Sequence, residues 1–396
     1  MTSATPNTPR NLTPILDREA PFPPRKPPGS GMALLLTVWL GAVVIVAVCW
    51  LLDRPPILRR WFEIDLSSWC SDQWDRIGVV GVAVSALAAF YLMLALHELG
   101  HGAAGLAVGF RLRSYRVGPL LFNRPFRVSL YSGPGALGNG VAELIPVATD
   151  NLARRGVAMV LGGPAANFLS AIVMLLLPFP ITVFSVLFVV FSLVNGVNDL
   201  FPFESRLGVS DGKRIWMLLR QPERGARWLA LFRLAGELSD GVLPEALSTE
   251  FLAKAIAVRD ASADTVSAHL IAYSAAFHEH NDTEAARRLE TCLEYSGYAT
   301  PIVREALMSD AAVFQARRRK RVDLANQWLA QIPLTTQNAW FRSRSEAAIL
   351  EAKGDADAAI AKLADGEKAI LALTKSAQRD ALERLLERWK SELRRS

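Results

Sequence analysis

The sequence predicts a mainly α-helical fold: a polytopic membrane helix bundle of about four spans with a soluble α-helical C-terminal domain. Three observations predict it. Hydrophobic residues make up 51% of the 396 positions and charged residues 21%, a balance unlike that of a water-soluble or disordered chain. Mean hydropathy is +0.21, and the apolar residues are gathered into long runs. From about Asp211 onward the composition turns polar and helical, with Lys, Arg, Asp and Glu spread throughout.

The elements follow in order. Residues 1–31 hold eight of the 22 prolines and no apolar periodicity, the composition of a disordered cytoplasmic tail. Met32–Leu52 is free of charge and long enough to cross a hydrocarbon core of about 30 Å. It starts too late and runs too long for a signal peptide. Residues 77–108 form a second apolar stretch, 157–177 a third and 181–201 a fourth. Pro178-Phe179-Pro180 turns the last two into a tight hairpin. The membrane core is thus expected over 32–219 and the soluble helical domain over 220–396.

Charge sets the expected orientation. The net charge of +6 is concentrated in the N-terminal tail and in the loop 109–155, which carries seven Arg against two acids. The positive-inside rule places that loop, and both termini, in the cytoplasm. No organelle-targeting pattern is present, so a bacterial plasma membrane is the expected location. The basic excess is a topology signal, and nucleic acid is not expected as a partner. No pair of the three cysteines has metal-ligand spacing, and so odd and sparse a count does not suggest a disulfide framework. Within the basic loop, Arg111–Val117, Phe126–Tyr131 and Val141–Val147 read as short strands parted by Gly-Pro turns, a β segment at the cytoplasmic face.

In the C-terminal domain three segments align: Asp282–Ala286, Arg321–Ala325 and Asp355–Ala359. Spacings of 39 and 34 residues, with small residues at a fixed position, suggest tetratricopeptide-like helix pairs or a generic helical bundle. Such a domain is suited to binding a protein partner.

The strongest chemical signal is His97-Glu98-Leu99-Gly100-His101. On a helix, i and i+4 share a face, so both imidazoles can reach one metal ion. Glu98 then stands beside it as general base for a water. Ionisable groups inside an apolar span are costly, about 2.5–3.5 kcal/mol each for a charge at the bilayer centre, and metal ligation supplies the compensation. A catalytic zinc takes three protein ligands and one open position, so a carboxylate at the same depth is required. Two are available: Asp211, in Ser210-Asp211-Gly212 just past the fourth span, and Asp199 within it. Topology favours Asp211, which could otherwise serve as a helix N-cap. His278-Glu279-His280 reads as a solvated helix end. Asn167, in Gly162-Gly163-Pro164-Ala165-Ala166-Asn167 near the start of the third span, offers a polar contact. Asn195, Asn198 and Pro202 mark the end of the fourth.

These motifs together resemble the site-two protease family of intramembrane zinc metalloproteases. His97-Glu98-Leu99-Gly100-His101 matches in full, Gly163-Pro164-Ala165-Ala166-Asn167 matches well, and Asn198-Asp199-Leu200-Phe201-Pro202 with Ser210-Asp211-Gly212 matches more loosely. The resemblance covers residues 77–215. It implies one zinc ion held by His97, His101 and Asp211, with Glu98 activating water. It also implies that Asn167 and either Asn198 or Asn195 hold an unwound segment of a membrane-protein substrate. The Asn-to-Pro spacing is one residue longer than the common form, and the Pro202-to-Asp211 gap is long. No PDZ-like insertion lies between the core helices, which leaves the C-terminal domain as the candidate for gating.

The function expected is therefore a membrane-embedded zinc metalloendopeptidase that cleaves transmembrane or juxtamembrane segments in the lipid bilayer. A catalytically silent relative acting as a membrane-tethered helical-repeat scaffold is the alternative from another class. A metal transporter fits weakly, because no inverted repeat is visible.

Overall fold

A computed structural model describes residues 14–17, 65–123, 127–131, 136–147, 150–178, 180–205, 208–335, 339–371 and 377–395. Two compact units form, one from residues 27–236 and one from residues 1–26 together with 237–396. The first expected span, residues 32–52, lies outside the described residues.

Among the described residues, the first unit has three helices long and apolar enough to cross a membrane: α1 (Leu66–Ala107), α2 (Leu152–Leu176) and α3 (Val183–Leu200). They correspond to the second, third and fourth expected spans. Helix α1 is broken at Gly78, whose φ of 57° only glycine adopts readily. The break follows Asp72, Asp75 and Arg76, so the polar start of the helix is separated from its apolar length. Val79, Val80, Val84, Leu169 and Ile172 are exposed on the helix surfaces, as side chains facing hydrocarbon would be. Where α1 crosses α2, Gly100 and Gly162 meet; a Cβ on either would collide with the other's carbonyl. Small residues allow this close approach between membrane helices. Helix α3 starts at a capping box in which Thr182 and Ser185 satisfy each other's backbone N–H.

Between α1 and α2 the basic loop folds into a four-stranded antiparallel sheet. Its strands are β1 (Phe110–Val117), β2 (Leu120–Asn123), β3 (Arg127–Leu130) and β4 (Gly140–Pro146), in the order β3-β2-β1-β4. Three of these lie where strands were expected. Strand β2 was not anticipated: at four residues it is too short for alternation to register, and it exists through its pairing with β1 and β3. After α3 comes a minimal hairpin, β5 (Glu204–Ser205) and β6 (Gly208–Val209), then α4 (Asp211–Arg220) and α5 (Pro222–Ser239). Phe110, Leu144, Met159, Met217, Leu218, Trp228 and Leu229 form one buried cluster. That cluster joins the sheet, α2, α4 and α5, and so fixes where α4 begins.

The second unit is helical: α6 (Thr249–Ile256), α7 (Ala263–His278), α8 (Asp282–Tyr295), α9 (Pro301–Arg317), α10 (Val322–Ala330), α11 (Ala339–Ala352), α12 (Ala356–Leu371) and α13 (Ala377–Leu393). Helices α7/α8, α9/α10 and α11/α12 pack as successive antiparallel pairs. The aligned segments begin the second helix of each pair. Counted from the residues that precede those helices, Asn281, Arg321 and Asp355, the small residue recurs as Ala285, Ala325 and Ala359, each fully buried. The repeat position in the first segment is thus Ala285, one place earlier than the sequence alignment set it. Only packing distinguishes Ala285 from Ala286.

Within the N-terminal stretch expected to be disordered, residues 14–17 are described. Ile15–Asp17 form a 3-10 turn, and Leu16, 1% exposed, lies within the core of the second unit. The proline content around it masked an isolated aliphatic pair.

Candidate metal centre

The metal-binding possibility starts from helical geometry. His97 and His101 project from the same face of α1, with their Nε2 atoms 3.1 Å apart. Asp211 Oδ2 lies 3.1 Å from His101 Nε2 and 3.5 Å from His97 Nε2. Four ligands set tetrahedrally at the usual zinc distances of 2.0–2.2 Å stand about 3.3 Å from one another. The three donor atoms therefore form one face of such a tetrahedron. Among the described residues, no other cluster of His, Cys, Asp or Glu has this form.

Each ring is held in the orientation a ligand needs. His101 Nδ1 lies 3.0 Å from the Met159 carbonyl oxygen; with the proton on Nδ1 that oxygen accepts it and the Nε2 lone pair is free. The fully buried Asn167 amide lies 3.0 Å from His97 Nδ1. The Asn167 oxygen has no hydrogen-bond partner among the described residues. Turned toward the ring, that oxygen would accept from Nδ1–H and free Nε2 in the same way. Asn167, expected as a substrate contact, thus touches His97 directly. A Cβ at Gly163 would collide with His101 Nε2 and stand 2.7 Å from His97 Nε2, so only glycine leaves room for both rings.

Asp211 is brought in by its neighbours. Ser210, not Asp211, caps α4: its Oγ accepts from Lys213 N–H at 3.2 Å. The same hydroxyl donates to the Phe201 carbonyl at 2.7 Å and accepts from Phe203 N–H at 3.0 Å. The long gap after Pro202 is taken up by the β5/β6 hairpin, which returns the chain to the end of α3. Burial opposes the charge on Asp211. The adjoining His101 and His97 rings and the Arg214 guanidinium outweigh it and hold the carboxyl well below the usual carboxylate range.

Asp199 sits at the margin. Its Oδ2 is 3.7 Å from His97 Nε2 and accepts from Asn195 Nδ2 at 2.6 Å. Asn195 is therefore linked to the site through Asp199, while Asn198 lies half-buried on the same helix. Glu98 is buried, and its Oε2 accepts from the Ala142 N–H at 2.8 Å. Strand β4 comes so near that a Cβ at Gly140 would collide with Glu98 Cγ. Tyr115 donates to the Ala95 carbonyl at 2.5 Å; burial and then the Glu98 charge push its phenol up to about 12. Sequence reasoning did not single out Gly140, Ala142 or Tyr115, because strand spacing carries no sign of what lies opposite. His278 and His280 form no such centre. His280 Nδ1 meets the Arg318 guanidinium at 2.7 Å.

An HExxH helix within an apolar bundle, facing an aspartate from a following helix, is an arrangement that could hold a metal ion beside a carboxylate base. The family comparison gives the class: the chain belongs to peptidase family M50, the site-two protease family, whose model matches residues 85–351. That family consists of membrane-associated zinc metalloproteases, and its membership with three long apolar helices makes an integral membrane protein. No curated protein and no solved structure gives a significant match to the chain.

Proposed function

We propose that this chain is an intramembrane zinc metalloendopeptidase that cleaves transmembrane or juxtamembrane segments of membrane-protein substrates. The observation that carries the reading is the triangle of His97 Nε2, His101 Nε2 and Asp211 Oδ2, with edges of 3.1–3.5 Å, beside the buried Glu98. The donor set of two imidazoles and a carboxylate suits zinc and leaves one position open. Bound zinc supplies Lewis-acid polarisation of a peptide carbonyl and of the attacking water.

The chain's own groups do the remaining work. Glu98 takes the proton from the attacking water and passes it to the departing amine. The Ala142 N–H holds one carboxylate oxygen and leaves the other for the proton. Asn167 and Met159 orient the two imidazoles, and Asn195 or Asn198 lies where a substrate backbone could be held. Both termini and the β segment are assigned to the cytoplasmic side of the membrane on the charge of the 109–155 loop, and that membrane is taken to be a bacterial plasma membrane. The paired helices of the second unit, with a buried small residue at a repeated position, support a tetratricopeptide-like partner-binding role.

The test is cleavage of single-span model substrates in proteoliposomes by the wild type and Glu98→Gln. Loss of about 10²- to 10⁴-fold in rate at unchanged zinc content is expected. Full cleavage by the variant would discard the mechanism.

A further inference from the structure

The buried turn at Pro14–Asp17 is gripped in a manner suited to a ligand. It reaches the helices of the second unit from 274 to 312 positions away in sequence. The Ile15 and Leu16 N–H groups both donate to the Glu290 carboxylate of α8, at 2.6 and 2.9 Å. The Leu16 carbonyl accepts from Gln315 Nε2 of α9 at 2.9 Å and from Trp328 Nε1 of α10 at 3.2 Å. Gln315 Nε2 also lies 3.2 Å from Asp17 Oδ1. The Leu16 side chain fills the apolar interior. Asp17 meets Arg319 at 2.7 Å and Arg321 at 3.5 Å, both on the basic turn between α9 and α10.

Three features of this contact match peptide recognition. Four of the hydrogen bonds read main-chain groups, which any peptide carries. One side chain, Leu16, is buried in the apolar interior. One charge meets a cationic rim. Main-chain capture plus an anchor pocket plus a charge is how short peptides are recognised. Glu290, Gln315, Trp328, Arg319 and Arg321 belong to three different helices and one turn, so the site exists only in the assembled unit.

We propose that this groove is a peptide-recognition site, occupied in cis by the chain's own Pro14–Asp17 turn. A partner protein displaces that turn with a segment in which an aliphatic residue and Leu are followed by an acid. A tethered occupant is present at an effective concentration of about millimolar, so the site stays closed until such a partner accumulates nearby or binds more tightly.

The experiment uses the full chain in detergent with a specific protease site inserted between Lys26 and Pro27, which leaves residues 14–17 unaltered. A fluorescent peptide of residues 11–19 is added before and after cutting. Saturable binding to the cut chain, at least about tenfold weaker binding to the intact chain, and release of residues 1–26 are expected. Glu290→Gln in the cut chain should weaken binding about tenfold, and a peptide carrying Leu16→Asp should not bind. If residues 1–26 stay bound and no peptide exchanges, or if cutting collapses the helical circular dichroism without exchange, the turn is a fixed part of the core and the proposal is overturned. It is equally overturned if a photocrosslinker at position 15 joins two differently tagged copies, since the occupant would then be a second chain.

Discussion

The histidine pair depends on groups that are not ligands. A second group on the far nitrogen fixes an imidazole's tautomer, and loss of such a partner commonly weakens metal affinity 10- to 100-fold. Asn167→Leu should therefore weaken zinc binding by about that factor, measured by competition with a chromogenic chelator. Affinity equal to the wild type would return Asn167 to a purely substrate-facing role. The two aspartates separate in the same assay. Asp211 Oδ2 approaches both histidines, whereas Asp199 Oδ2 approaches only His97 and is engaged by Asn195. Asp211→Asn is expected to deplete zinc in the purified protein, and Asp199→Asn to retain it. The reverse result would exchange their roles.

Among the elements, α4 shows how a ligand is placed by packing. Ser210 ties its first turn to the last turn of α3, and Met217 and Leu218 anchor its other face in the cluster with Trp228. In the second unit, α9 and α11 are linked by a pair in which Asp310 is buried and Arg344 partly so. Arg344 Nη2 donates to Asp310 Oδ1 at 2.5 Å, and Ser345 Oγ donates to Ser309 Oγ at 3.0 Å. Burial raises the Asp310 carboxyl, and the Arg344 charge works against that rise. Removing one partner of a buried pair strands the other, at a cost of about 3–5 kcal/mol. Arg344→Met should lower the stability of this unit by that order in denaturant titration, and Asp310→Asn combined with it should recover part of the loss.

Over the whole second unit, acid sensitivity follows from two histidines. Burial lowers His269 to about 4, helped by Arg288 and Arg259, and burial lowers His278 to about 4. Both lie below the ordinary value near 6.5. Above pH 6.5 each is neutral whether folded or unfolded, and stability does not change on their account. Between pH 6.5 and 4 the unfolded chain takes up protons that the folded chain refuses, so stability falls as pH falls and levels off below 4. Thermal melts followed by the helical signal should show this decline, and His269→Gln should flatten it. An unchanged slope in that variant would remove His269 from the account.

Local chemistry determined a good deal of this protein. The helical repeat places His97 and His101 on one face whatever surrounds them, and long apolar runs dictate α1, α2 and α3, because both signals depend only on neighbours along the chain. Charge in one loop likewise carries the expected orientation. Contacts between distant segments were decided elsewhere. That Asp211 rather than Asp199 completes the triangle depends on the β5/β6 hairpin and the Ser210 cap. That Asn167 meets His97, and that Gly140 admits Glu98, depends on how α2 and β4 lie against α1. Leu16 is the clearest case: its burial requires three helices whose contacting residues lie 274 to 312 positions later. A sequence pattern records what each residue prefers beside its chain neighbours, whereas a ligand triangle or a peptide groove is set by which surfaces pack together.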